Sequence, residues 1–242
     1  MRVILTTSSI HLCVASITLY ISIYWLAHLS LTLARIFKME TAVNRMSKIF
    51  KSERLVYRSI EDSDTDFLYT AIQSDPVTVG LATPPLLTPA TRRRGAEDTH
   101  ALIRGSLLAV LICLPVSSAG EGQHSAQSLS TPIGYLSLTQ SKLPHWRDTQ
   151  VVIQINSSYQ NQGYGGEAIN WALDWAFRYA DMHRVSIATV EFNARALALY
   201  KRLGFVEEGR KREICYFDFK WWDIIQLSLL DHEWKVLRDM RT

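Results

Sequence analysis

Hydrophobic and polar positions change their spacing repeatedly along this chain, and each change predicts an element. Residues 3–34 hold no Asp, Glu, Lys or Arg, a run longer than the ~20 residues that span a bilayer as a helix. It is too long for a signal-peptide core, and no small-x-small cleavage site comes after it. Arg35, Lys38, Arg45, Lys48, Lys51 and Arg54 flank it on one side and only Arg2 on the other, an asymmetry that keeps the downstream chain in the cytosol if the run is an anchor. The other reading starts the working protein at Met39 or Met46. Residues 1–45 are thus an apolar segment and linker, with a possible membrane tether through 3–34, and 46–242 are the folded domain.

From Arg54 the spacing turns globular. Arg54–Arg58 alternates as a strand. Asp64–Ser74 reads as a helix, stopped at Asp75-Pro76. Thr88-Pro89 is an N-cap with proline at the first helical position, opening a helix that runs to about Arg104. Leu107–Leu114 is an unbroken apolar run of buried-strand length. Residues 115–131 are rich in Ser, Gly and Gln and read as a loop. Strands follow at Ile133–Leu138, Gln150–Ile155 and Val185–Val190. Between the last two, Gly165–Ala180 has apolar residues at helical spacing. Ala194–Leu203 is a short helix closed by Gly204. Arg212–Phe219 and Trp222–Leu230 pair as a final hairpin. Strands and helices alternate after a leading hairpin, which gives one mixed α/β (α+β) domain.

Composition narrows the function. Apolar residues make up 48% of the chain and charged residues 20%, enough to fill a core. A net charge of +3 is too small to argue nucleic-acid binding, so no nucleic-acid partner is expected. Cys13, Cys113 and Cys215 form no CxxC pair, and no His, Cys, Asp or Glu cluster has ligand spacing. No metal is expected.

The chemistry concentrates after Ile155. Gln160-Asn161-Gln162-Gly163-Tyr164-Gly165-Gly166 follows a strand and opens an amphipathic helix. Glycines let backbone N–H groups approach a phosphate, and a helix N-terminus adds unpaired donors and the positive end of its dipole. Gly163-x-Gly165-x-x-Ala168, with Glu191 ending the next strand, also matches a dinucleotide fingerprint. That fingerprint places its first glycine at the strand's end, whereas residues 156–162 intervene here.

A second motif lies about 30 residues later: Asn193-x-x-Ala196-x-x-Leu199-Tyr200-x-x-Leu203-Gly204-Phe205. With Gln160-x-x-Gly163-x-Gly165 it resembles the GNAT superfamily of N-acetyltransferases over residues 52–238. The Arg-Leu-x-x-Arg strand, Gly-Tyr-Gly-x-Glu-Ala and the ending Trp221-Trp222-Asp223 … Trp234 resemble its ribosomal-protein-type branch.

That resemblance implies a GNAT fold. Its central mixed sheet has six to seven strands, splays at two parallel strands and is flanked by helices. It implies acetyl-CoA as cosubstrate and acetyl transfer to a primary amine, a protein N-terminus or a small molecule. Gln160, Gln162, Gly163, Tyr164, Gly165 and Gly166 match the pyrophosphate wrap. Ile153 and Ile155 match the strand edge that pairs with pantetheine. Asn193 matches the position bonded to the cofactor arm, and it also suits a helix N-cap. Tyr200 matches the acid that protonates the departing thiolate, its phenol being neutral at pH 7. The base is open. The matching strand offers only Gln150 and Gln154, and Glu191 or a relayed water remain. The alternative to an enzyme is a catalytically silent CoA- or nucleotide-binding module. Specificity falls to about residues 61–89 and 210–222, whose aromatic residues suit a cleft floor or hairpin packing.

Overall fold

The computed structural model describes residues 39–40, 43–44, 46–82, 88–115 and 130–239. The chain divides into two units, residues 1–49 and 50–242. In the first, the described residues are helical or turn positions, nearly all exposed. The apolar run at 3–34 lies outside the described residues, as does most of the loop expected at 115–131. Among the described residues no helix is long and apolar enough to cross a membrane.

The second unit is built on a seven-stranded mixed sheet. Its strands are β1 (Val56–Ser59), β2 (Ser106–Pro115), β3 (Ser130–Thr139), β4 (Asp148–Ile155), β5 (Arg184–Val190), β6 (Val206–Phe217) and β7 (Lys220–Leu230). Their spatial order is β1-β2-β3-β4-β5-β7-β6. All pairs are antiparallel except β4 and β5. Those two are in register only at Asp148–Arg184, Thr149–Val185 and Gln150–Ser186. Both continue beyond that point, so the sheet opens down its middle as expected.

The helices differ from the sequence reading in instructive ways. The first, α1, runs as a 3-10 turn Asp62–Asp64, an α-turn Thr65–Phe67 and a π-turn Leu68–Gln73. Asp75-Pro76 ends it as expected but also begins α2 (Pro76–Leu81), since Asp75 accepts the Val77 N–H and proline suits the first turn. The cap expected at Thr88 is instead Thr91, whose hydroxyl accepts the Arg94 N–H and starts α3 (Arg92–Arg104). Then come α4 (Tyr164–Arg178), α5 (Ala194–Arg202) and a C-terminal helix, α6 (Asp231–Asp239), which the sequence reading lacked.

Two apolar layers fix the sheet. On one face α4 buries Ala168, Ile169, Trp171, Ala172, Leu173 and Ala176 against strand residues such as Ile112, Leu136 and Leu227. The Trp171 ring stacks on Tyr57 at 3.7 Å, tying β1 to that helix. In a separate cluster, α1 sets Leu68 and Ile72 against Leu111 and Cys113. Gly204, at φ +97°, closes α5 in the left-handed conformation that glycine tolerates.

Glu167 anchors the start of α4 to the chain before β1. Its carboxylate accepts from the Ser52 hydroxyl at 2.6 Å, the Arg54 N–H at 2.7 Å and Arg54 Nε at 2.8 Å. Burial opposes its charge, but these bonds outweigh burial and hold the carboxyl below its ordinary range. A depressed carboxylate stabilises the fold above its unfolded value, and that gain is lost as pH falls through the folded value. Glu167→Gln is expected to cost about 2 kcal/mol in urea unfolding at pH 7. The gap to wild type should close as the pH drops below about 4.

Candidate active site

Where β4 and β5 part, a cleft of about 580 Å³ opens. Strand alternation decides which backbone groups face it. Asn156 gives its N–H to Ile133 across β3, so even-numbered residues of β4 point that way. Ile153 and Ile155 therefore turn their N–H and C=O groups toward the parted β5. On the other wall Glu191 bonds Asp223 of β7, which turns the backbone of Ala188 into the gap. Gln160 Nε2 donates to the Ile155 carbonyl at 2.9 Å, capping the end of this edge.

The glycine segment closes one end of the cleft. Gly163 sits at φ +85° as the residue before α4. The first intrahelical bond there is from Glu167 N to Gly163 O, so the N–H groups of Tyr164, Gly165 and Gly166 have no partner within the helix. Gly166 lets α5 come close, because an added Cβ would lie 3.2 Å from Leu199 Cδ1. Three bare N–H groups at a helix N-terminus form an anion cradle. Of the expected segment, Gln160, Gly163, Tyr164, Gly165 and Gly166 line the cleft. Gln162 does not: its carbonyl accepts from Arg54 and its side chain donates to the Ser158 carbonyl.

Two arginines absent from the expected set brace the cradle. Arg195, on α5, donates to Asn161 Oδ1 at 2.6 Å and Gln160 Oε1 at 2.7 Å. Arg54 lies over the Tyr164 ring at 4.7 Å. Arg195 adds an exposed cation to the cleft lining, a field suited to phosphate, while the charge of Arg54 is matched by Glu167.

Tyr200 and Asn193 come to the same cleft on α5 and its cap. Tyr200 is 7% exposed, and burial pushes its phenol up to about 12, so it remains a proton donor at any ordinary pH. Asn193 caps α5 by accepting the Ala196 N–H at 3.1 Å, as its second reading had it. Its Nδ2 donates to the Leu81 carbonyl at 2.8 Å, fastening the end of α2 to the cleft. Glu191 is not brought to the cleft. Its carboxylate faces Arg210 at 3.2 Å, and Arg210 also holds Glu207. That leaves the β4 amides Gln150 and Gln154, which cannot accept a proton at neutral pH.

On the face covered by α1–α3 lies a second cavity, about 730 Å³. Ala82 and Gln154 border both spaces. The aromatic residues of the final hairpin line neither space. Phe219 is 93% exposed and Trp221 54%, at the hairpin tip.

Comparison with known proteins agrees with this architecture. The family model described as an acetyltransferase (GNAT) domain matches residues 54–206, and the chain belongs to that family. A spermidine N(1)-acetyltransferase of Vibrio cholerae is 28% identical over 102 residues, 42% of this chain and 58% of that protein. A putative ribosomal N-acetyltransferase of Bacillus subtilis is 28% identical over 89 residues, 37% of this chain and 49% of that one. The chain spans about half the length of the curated relatives it matches. Among solved structures, a GNAT-family acetyltransferase from Bacillus anthracis superposes with a TM-score of 0.60 at 18% identity, over 76% of this chain and 98% of that one. A spermidine N-acetyltransferase from Vibrio cholerae, in complex with CoA and spermine, gives 0.60 at 20% identity, over 76% and 99%. At those identities the likeness is one of fold.

Proposed function

We propose that the protein is an acetyl-CoA-dependent N-acetyltransferase that moves the acetyl group directly to a primary amine. One observation carries this reading: a single cleft joins an anion cradle, an open strand edge and a buried phenol. The N–H groups of Tyr164, Gly165 and Gly166, with Arg195 nearby, suit the pyrophosphate. Ile153 offers pantetheine an N–H and a C=O, and Ile155 its N–H, the Ile155 carbonyl being held by Gln160. Tyr200, buried in the wall of the same cleft, would serve as the acid for the departing thiolate.

In the reaction the amine nitrogen bonds to the acetyl carbonyl carbon and the C–S bond breaks. Tyr200 gives its proton to the departing thiolate and regains one from solvent. The proton lost by the amine passes to water. Relatives named for spermidine and for ribosomal acetylation both use amines, which supports an amine acceptor without choosing one.

The test is titration of acetyl-CoA into the full chain, followed by CoA release with an amine panel. Micromolar binding and turnover are expected. Binding without turnover on any amine would favour the catalytically silent CoA-binding module, a reading the glutamines on β4 keep in view.

A further inference from the structure

Gln160 opens the segment expected to wrap the pyrophosphate, yet its polar groups are engaged within the protein. Its N–H donates to the Ser157 carbonyl at 3.3 Å. Its Oε1 accepts from Arg195 Nη2 at 2.7 Å, and its Nε2 donates to the Ile155 carbonyl at 2.9 Å. These bonds tie the turn after β4 to α5 on one side and to the strand end on the other.

A side-chain amide is nearly symmetric in shape but not in chemistry. Only its NH2 end can bond the Ile155 carbonyl, and Arg195 decides which end faces that way. A guanidinium has donors and no acceptor, so it takes the amide oxygen and turns the nitrogen to the strand. The same fork donates through Nη1 to Asn161 Oδ1 at 2.6 Å. Asn161 stands at φ +63°, a left-handed position that asparagine tolerates better than most residues. One rigid cation thus holds two successive residues of the turn.

The consequence reaches the open edge of β4. Ile153 and Ile155 turn their N–H and C=O groups to the gap, but the Ile155 carbonyl is covered. The Thr78 hydroxyl lies 3.5 Å from that carbonyl and gives its proton to Asp75 at 2.5 Å, so Gln160 is the group that covers it. An arm carrying amide N–H donors then finds its acceptor on this stretch at Ile153. With the Ile155 carbonyl free, a second register opens two residues along, a shift of about 7 Å. A thioester displaced that far leaves the reach of a fixed phenol.

We infer that Arg195 is a positioning residue: it orients the Gln160 amide so that Nε2 closes the Ile155 carbonyl, which leaves the cofactor arm one register on β4. This rests on the acetyl-transfer reading above. Gln160 is then a latch on the strand end and not a phosphate ligand.

The full chain is compared with its Gln160→Leu, Gln160→Glu and Arg195→Met variants and with the double variant Gln160→Leu, Arg195→Met. In 15N–1H spectra the Gln160 side-chain amide, identified by its loss in Gln160→Leu, should stand apart from solvent-exposed glutamines in the wild type and fall among them in Arg195→Met. Gln160→Leu should lower kcat about tenfold and change KM for acetyl-CoA less than about threefold, because the cradle stays intact while the arm slips. Gln160→Glu keeps a partner for Arg195 but loses the donor to Ile155, so kcat should fall by a similar factor. Mere bracing of the turn would leave that variant active. Arg195→Met should lower kcat as Gln160→Leu does, and the two losses should not multiply in the double variant. An amide signal unmoved in Arg195→Met would overturn the inference. So would losses that multiply, or a kcat within about twofold of wild type in Gln160→Leu or Gln160→Glu. A wild-type chain that binds acetyl-CoA and transfers nothing would instead remove the acetyl-transfer reading beneath it, and the amide signal needs no turnover to judge the latch.

Discussion

Tyr200→Phe should lower kcat by roughly 10²–10³-fold while leaving the affinity for acetyl-CoA and the thermal midpoint nearly unchanged. The substitution removes one oxygen and keeps the ring, which packs 6.2 Å from Phe205 and is otherwise buried. Packing is therefore preserved, and the loss falls on proton donation to the thiolate. A hundredfold fall corresponds to about 2.7 kcal/mol of barrier. The pH profile separates this role from a structural one. Burial pushes the phenol up to about 12, so kcat of the wild type should show no alkaline fall from this group up to about pH 10. An ordinary tyrosine would begin to lose its proton there. A kcat within threefold of wild type in the phenylalanine variant would mean that water protonates the sulfur and Tyr200 only packs.

The parts of this site that are local in sequence were legible in it. The glycine segment and the Asn193 to Phe205 motif are each contiguous, and each sets its own backbone: Gly163 by its positive φ, Asn193 by capping α5. The splay between β4 and β5 came with the family resemblance, and the register confirms it. Long-range partners were not legible. Arg195 reaches Gln160 and Asn161 across more than 30 residues, and no periodicity encodes that meeting. Arg54 read as strand or flank, although it works through Glu167 on α4. Glu191 stood at the right end of β5, but β6 supplies Arg210, and the carboxylate turns to that ion pair instead of the cleft. The Thr88 cap failed because Thr and Pro are common in loops as well as at helix starts, and a second threonine followed three residues later. The second cavity, assembled from α1, α2, α3 and two strands, has no local pattern at all.

The cradle itself is tested most sharply by Gly163→Glu with Gly165→Glu, which should weaken acetyl-CoA binding at least 100-fold, about 2.7 kcal/mol. Three effects add. At φ +85° any side chain on residue 163 is strained, by roughly 1–2 kcal/mol, and its Cβ would lie 3.2 Å from Arg54 Nη2. At residue 165 the added Cβ meets Ile155 Cδ1 at 3.7 Å and Leu199 Cδ2 at 3.9 Å, ordinary contacts that leave the helix intact while the rest of the side chain intrudes on the cleft. Two carboxylates then stand at the N–H groups meant for phosphate and repel it. The native helix already carries one acid in this turn, Glu167, but Ser52 and Arg54 hold its charge, so the end of the dipole stays free for a ligand. Gly163→Ala serves as the control for strain alone and should cost less than tenfold. Circular dichroism should show both variants folded. Binding in the folded double variant within threefold of wild type would place the phosphates elsewhere and leave the three N–H groups of Tyr164, Gly165 and Gly166 as an ordinary helix start.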